Sequence, residues 1–191
     1  MDPIDSVARV LDEAHTIIAS TSDADLAKQT PCTQWNVGAL IEHMTGVVNQ
    51  FAAGFAGTPL SPPPAPGTSG PTNSDVAGTY RQAVDDLLKA VRAPGALDKT
   101  LKLPFGEMPG GQALGIVIGD QSIHTWDLAK AMGKPYTMDE QIASSILTMM
   151  HQLMGANPGA RGEGRGFAAE VPCPADAPVQ DRLLAFSGRQ P

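Results

Sequence analysis

Apolar residues recur along this chain at the three- and four-residue spacing of an amphipathic helix, in blocks separated by proline- and glycine-rich stretches. Ile4, Val7, Leu11, Ala14 and Ile18 define the first block, with Asp2 as N-cap and Pro3 at the first helical position, so a helix is expected to end near Ser20. A second begins at the capping residue Asn36 and carries Val37, Leu40, Ile41, Met44, Val48, Phe51 and Phe55 up to Gly57. The third follows Asn73 and Ser74, carries Val76, Tyr80, Val84, Leu87, Leu88 and Val91, and stops at Pro94. A fourth is expected from Gln112 to Met132, closed by Gly133 and Pro135, and a fifth from Asp139 through Ile142, Ile146, Met149 and Leu153 to Gly155. The short run VQDRLLAF, closed by Gly188, is the last.

The connections are informative too. TPLSPPPAPGTSGP, residues 58–71, holds six prolines and suits neither a helix nor a central strand, so 58–72 is a stiff loop within the domain. KTLKLPFGEMPGG is short, alternating and turn-rich, an extended connection able to form a small hairpin. Residues 156–191 form an irregular tail around the short last helix. No internal repeat is visible. The fold class is all-α, an up-and-down four-helix bundle with long crossing connections, and 191 residues suit a single domain spanning 1–191.

A formal charge of -7 and thirteen scattered basic residues argue against a nucleic-acid surface, which needs clustered Lys and Arg. Cys32 and Cys173 match neither a disulfide framework nor a zinc-knuckle spacing, which points to a reducing cytoplasm. The charged N-terminus and the lack of a long apolar run predict no signal peptide and no membrane helix.

Polar groups on apolar faces carry the chemistry. His43 sits beside the main apolar stripe of the second helix, between Leu40 and Val47. In GDQSIHTWDLAKAMG, Asp120 and His124 stand one turn apart on the face shared by Val117, Leu128 and Ala131. Two imidazoles and a carboxylate from two packed helices suit zinc, nickel or iron, with a position left open for water or substrate. The same spacing also suits a hydrogen-bonded Asp–His pair in a structural core, and the residues alone leave both readings open. Asp127 either orients His124 or faces solvent, Trp126 packs, and Glu42 lies at the surface.

Other candidates are weaker. Cys32 precedes the second helix, whose N-terminus favours a thiolate, but a cysteine followed by Thr and Trp is more often packed. Cys173 lies between two prolines with no argued partner. His15 and His151 border apolar faces, as extra ligands or as solvated residues. GARGEGRG, with Arg161 and Arg165, follows no strand and lacks the Gly-Lys-Ser/Thr ending of a phosphate loop, and reads as a mobile loop able to serve as a lid over the site. Asp85 and Asp86 fall on different sides of their helix, and no nucleophile elbow is present.

Taken together, TPCTQWNVGALIEHMTG, LPFGEMPGGQAL, GDQSIHTWDLAKAMG and VPCPADAPVQDRLLAFSGRQP resemble the DinB/YfiT-like metalloenzyme superfamily. More narrowly they are similar to its actinobacterial branch, related to the N-terminal domain of mycothiol-dependent maleylpyruvate isomerases. The resemblance implies a DinB-like bundle in which His43, Asp120 and His124 hold a divalent metal, zinc or nickel. It also implies that mycothiol or another low-molecular-weight thiol binds as a metal-activated thiolate and attacks a small electrophile, making the protein a transferase or isomerase. A homodimer would fit the family and the apolar helix faces. Two departures qualify the resemblance. The isomerase has Glu where this chain has Asp120, one methylene shorter, and it has a further C-terminal domain where this chain has a short tail helix. Maleylpyruvate isomerisation itself is therefore not expected. The competing expectation is a non-enzymatic bundle, metal-binding or metal-free, with His43, Asp120 and His124 in a structural role.

Overall fold

The computed structural model describes residues 2–61, 75–103, 106–156 and 168–191. Most of the proline-rich loop and the glycine-rich run read as a lid, with Arg161 and Arg165, lie outside the described residues. The chain is mostly helical and forms two compact units, Met1–Pro135 and Tyr136–Pro191.

The first unit is built on α1 (Pro3–Ala19), α2 (Val37–Phe55), α3 (Val76–Val91) and α4 (Gly110–Met132). Local chemistry sets their starts. Asp2 accepts the Ile4 N–H at 2.8 Å, Asn36 accepts from Ala39 at 2.9 Å, and Asp75 accepts from Gly78 at 2.8 Å. The cap of α3 is thus Asp75, one residue beyond Ser74. Gly133 ends α4 in the left-handed conformation at φ 67°, where a side chain would be strained.

The apolar stripes face one another. Val7, Leu11 and Ile18 of α1, Leu40, Met44 and Val48 of α2, Val84 and Leu87 of α3, and Leu114, Val117 and Leu128 of α4 are fully buried. Both α1 and α2 pack against α3 and α4, so helices consecutive in sequence lie diagonally across the bundle at two of its three connections. Those diagonal steps need length. The connection from α1 to α2 covers 20–36, and that from α3 to α4 contains a short 3₁₀ turn (Ala96–Asp98) and a hairpin of β1 (Thr100–Leu103) and β2 (Gly106–Pro109). The strands are antiparallel with Leu101 opposite Met108, and Leu101 and Leu103 point into the core.

In the second unit, α5 (Glu140–Ala156), capped by Asp139, packs against α6 (Val179–Phe186). Ile142, Ala143, Ile146 and Met150 of α5 and Leu183, Leu184 and Phe186 of α6 are among its buried apolar residues. Among the described residues, no helix is long and apolar enough to cross a membrane.

Candidate metal centre

Two helices bring three donors together. The Asn36 cap fixes the start of α2, and two turns on His43 projects next to the fully buried Leu40 and Met44, its side chain 12% exposed. From α4, Asp120 and His124 present side chains 20% and 10% exposed from successive turns. His43 Nε2 stands 3.2 Å from Asp120 Oδ1, and His124 Nε2 stands 3.7 Å from the same oxygen. The imidazoles meet edge to face, with centroids 5.1 Å apart. One donor atom from each of the three residues lies within 4.8 Å of the other two. Donors bound at about 2.0–2.1 Å in a tetrahedral set stand roughly 3.4 Å apart, and the 3.2 and 3.7 Å separations bracket that value. The donor set and its spacing therefore fit a divalent ion of the zinc or nickel type.

Neighbouring groups orient each donor. Gln121 is fully buried and donates from Nε2 to Asp120 Oδ2 at 2.9 Å and to the Met44 carbonyl at 3.1 Å, while its Oε1 accepts from the Tyr80 hydroxyl at 2.7 Å. One amide thus ties α2, α3 and α4 together and anchors one carboxylate oxygen, leaving the other facing the imidazoles. Burial disfavours the Asp120 charge, but His124, His43 and the Gln121 hydrogen bond together outweigh it and hold the carboxyl below its ordinary range. On the far side of His124, Nδ1 donates to Oδ2 of the fully buried Asp127 at 2.9 Å, so Asp127 orients the ring and does not face solvent. With Nδ1 protonated, Nε2 offers its lone pair towards Asp120 and His43.

The loop before α2 closes over this cluster. Trp35 stacks on His43 at a centroid distance of 4.4 Å and meets His124 edge-on at 5.6 Å. Sequence reasoning passed over both Trp35 and Gln121. Trp35 lies outside any periodic segment, and Gln121 follows Asp120 on a helix whose residues 121–129 are all buried, so neither occupies a position that spacing marks as special. Their only signal is a large aromatic directly before a cap and an amide within an apolar segment.

The remaining candidates separate. Cys32 is placed near His124 and Asp127. Glu42 is half-buried, more enclosed than the expected surface position, and Trp126 is buried with the Lys130 ammonium 5.2 Å from its ring. His15 is half-buried on α1, and His151 of the second unit lies against Phe186, with centroids 4.1 Å apart. Neither joins a donor cluster among the described residues.

Comparison with known proteins agrees with this architecture. The DinB superfamily matches residues 7–128, a span that contains His43, Asp120 and His124. Uncharacterized proteins from two strains of Mycobacterium tuberculosis are each 34% identical over 189 residues, covering 99% of this chain and 98% of theirs. The crystal structure of a mycothiol-dependent maleylpyruvate isomerase with a histidine-to-alanine substitution superposes with a TM-score of 0.62 at 16% identity, covering 85% of this chain and 73% of the isomerase. That similarity is one of fold.

Proposed function

The chain belongs to the DinB superfamily, and on that premise we propose that it is a metal-dependent, thiol-assisted transferase or isomerase acting on a small electrophile. One observation supports this reading above the rest: His43 Nε2, Asp120 Oδ1 and His124 Nε2 converge from two helices at separations suited to one divalent ion. Three protein donors leave a coordination position open, and a thiol bound there is held as its thiolate. The structural neighbour is a mycothiol-dependent isomerase, which supports mycothiol or a similar small thiol as that ligand.

The chain's own groups have definite parts in this scheme. His43, Asp120 and His124 bind the ion. Asp127 keeps the His124 proton on Nδ1, Gln121 holds Asp120 by one oxygen, and the Trp35 ring covers His43 and excludes water from that side.

A second reading has its own support. The 3.2 Å approach of His43 to Asp120 is also the length of a hydrogen bond, so these two residues serve equally as a structural pair in a non-enzymatic bundle. Metal content separates a metal-bound trio from the metal-free structural pair. Elemental mass spectrometry of untagged protein is expected to find near-stoichiometric zinc or nickel in wild type and little in His124→Ala. No bound metal after reconstitution with either ion would leave the structural reading standing.

A further inference from the structure

A second donor cluster shares His124. Cys32 Sγ, one His124 ring nitrogen and one Asp127 carboxylate oxygen lie within 4.8 Å of one another, and Cys32 and Asp127 lie outside the trio described above. The loop holds Cys32 in place. Trp35 N–H donates to the Cys32 carbonyl at 2.9 Å, and the Thr30 hydroxyl lies 3.0 Å from that carbonyl and 2.8 Å from the Trp35 carbonyl. A bridge between Gln29 and Asn36 closes the base of the loop. Cys32 is half-buried, whereas Asp127 is fully buried and hydrogen-bonded to His124 Nδ1.

We propose that Cys32, His124 and Asp127 form a second, sulfur-containing cation site, an alternative to His43–Asp120–His124 that takes a thiophilic divalent ion such as zinc or cadmium. The inference rests on donor geometry and is independent of the thiol-assisted reaction. Thiolate sulfur favours softer ions than the imidazole and carboxylate donors of the first site. A neutral imidazole has a single lone pair, so His124 serves one ion at a time and filling either site empties the other. Binding at the sulfur site releases the Cys32 thiol proton to solvent. It also draws Asp127 away from its role of orienting His124.

Cobalt(II) is a suitable probe, because a cobalt–thiolate bond gives a near-ultraviolet charge-transfer band that nitrogen and oxygen ligands do not. The titration uses the full chain in a Cys173→Ser background, so that any sulfur band belongs to Cys32. His43→Gln, which removes the first site, is expected to bind cobalt and show the band, and adding Cys32→Ser is expected to abolish both. Cys32→Ser alone is expected to keep cobalt at the first site without the band. If His43→Gln fails to fold by circular dichroism, Asp120→Asn disables the same site. A folded first-site variant that shows no band overturns the proposal. The two readings fail separately. Cobalt lost in His43→Gln but kept in Cys32→Ser leaves only the first site, and the reverse pattern leaves only the second.

Discussion

At the first site, Asp127 shows how a residue can govern metal binding without touching the ion held there. Its carboxylate is fully buried and accepts the hydrogen bond from His124 Nδ1–H, fixing which ring nitrogen points at Asp120. Removing such a partner weakens metal affinity by about 10–100-fold. Asp127→Asn is therefore expected to lower zinc affinity at the first site by that factor in a chelator competition, with helix content unchanged. Gln121 acts on stability instead, because its amide is the donor to both Asp120 Oδ2 and the Met44 carbonyl. Gln121→Leu leaves buried acceptors without that donor, at a cost of about 1–3 kcal/mol. Urea denaturation is expected to show a lower midpoint with an unchanged slope, and a midpoint matching wild type would remove Gln121 from the set of groups that hold the site together. Sequence spacing brought out His43, Asp120 and His124 because each breaks an apolar stripe at helical period. It passed over Gln121, Trp35 and the placement of Cys32, since these depend on how α2, α3, α4 and the 29–36 loop meet in space.

The helices themselves were largely readable. Caps at Asp2, Asn36 and Asp139 and the stop at Gly133 fall where side-chain chemistry places them, and the stripes of α1, α2 and α3 are the buried faces. The differences have local causes. Helix α4 begins at Gly110, two residues before the apolar pattern starts, because the Gly110 N–H donates to the Lys99 carbonyl at 2.7 Å and the second strand runs straight into the helix. Along α5, Met150 is buried and Met149 only partly, since two adjacent methionines leave the stripe's register ambiguous. The diagonal order of the bundle was beyond periodicity, which reports a face and not its partner. The connection from α1 to α2 adds a pH effect. Asp25 accepts from the Lys28 ammonium at 2.6 Å and from the Ser22 hydroxyl and N–H at 2.6 and 2.9 Å, and these contacts, Lys28 foremost, hold its carboxyl far below the usual range. A carboxyl depressed by folding stabilises the native state above its unfolded value of about 3.9 and loses that contribution as pH falls towards the folded value. Asp25→Asn is thus expected to melt slightly below wild type at neutral pH, and the two curves are expected to converge below about pH 4. A gap that persists under acid would mean that Asp25 acts through packing rather than charge.

For the whole molecule, the divisions of chain and of site coincide. Every group assigned to either cation site, from Cys32 to Asp127, lies within the unit Met1–Pro135. An ion that binds the native first unit stabilises it by mass action, by about 2.7 kcal/mol at one hundred times its dissociation constant. In a chain of 150–250 residues each kcal/mol moves the melting temperature by about 2–4 °C, so zinc or nickel at that concentration is expected to raise the midpoint by roughly 5–11 °C. Where the two units unfold in separate transitions, calorimetry is expected to show the shift only in the one that melts the first unit, because the ligands all lie there. His124→Ala removes the donor common to both sites and is expected to abolish the shift, whereas His43→Gln and Cys32→Ser should each keep part of it. Chelation of the wild-type protein should lower its midpoint to the metal-free value and leave His124→Ala unchanged. If His124→Ala gained as many degrees from the ion as wild type, the stabilisation would come from carboxylates elsewhere on this acidic chain, and neither cation site would explain it.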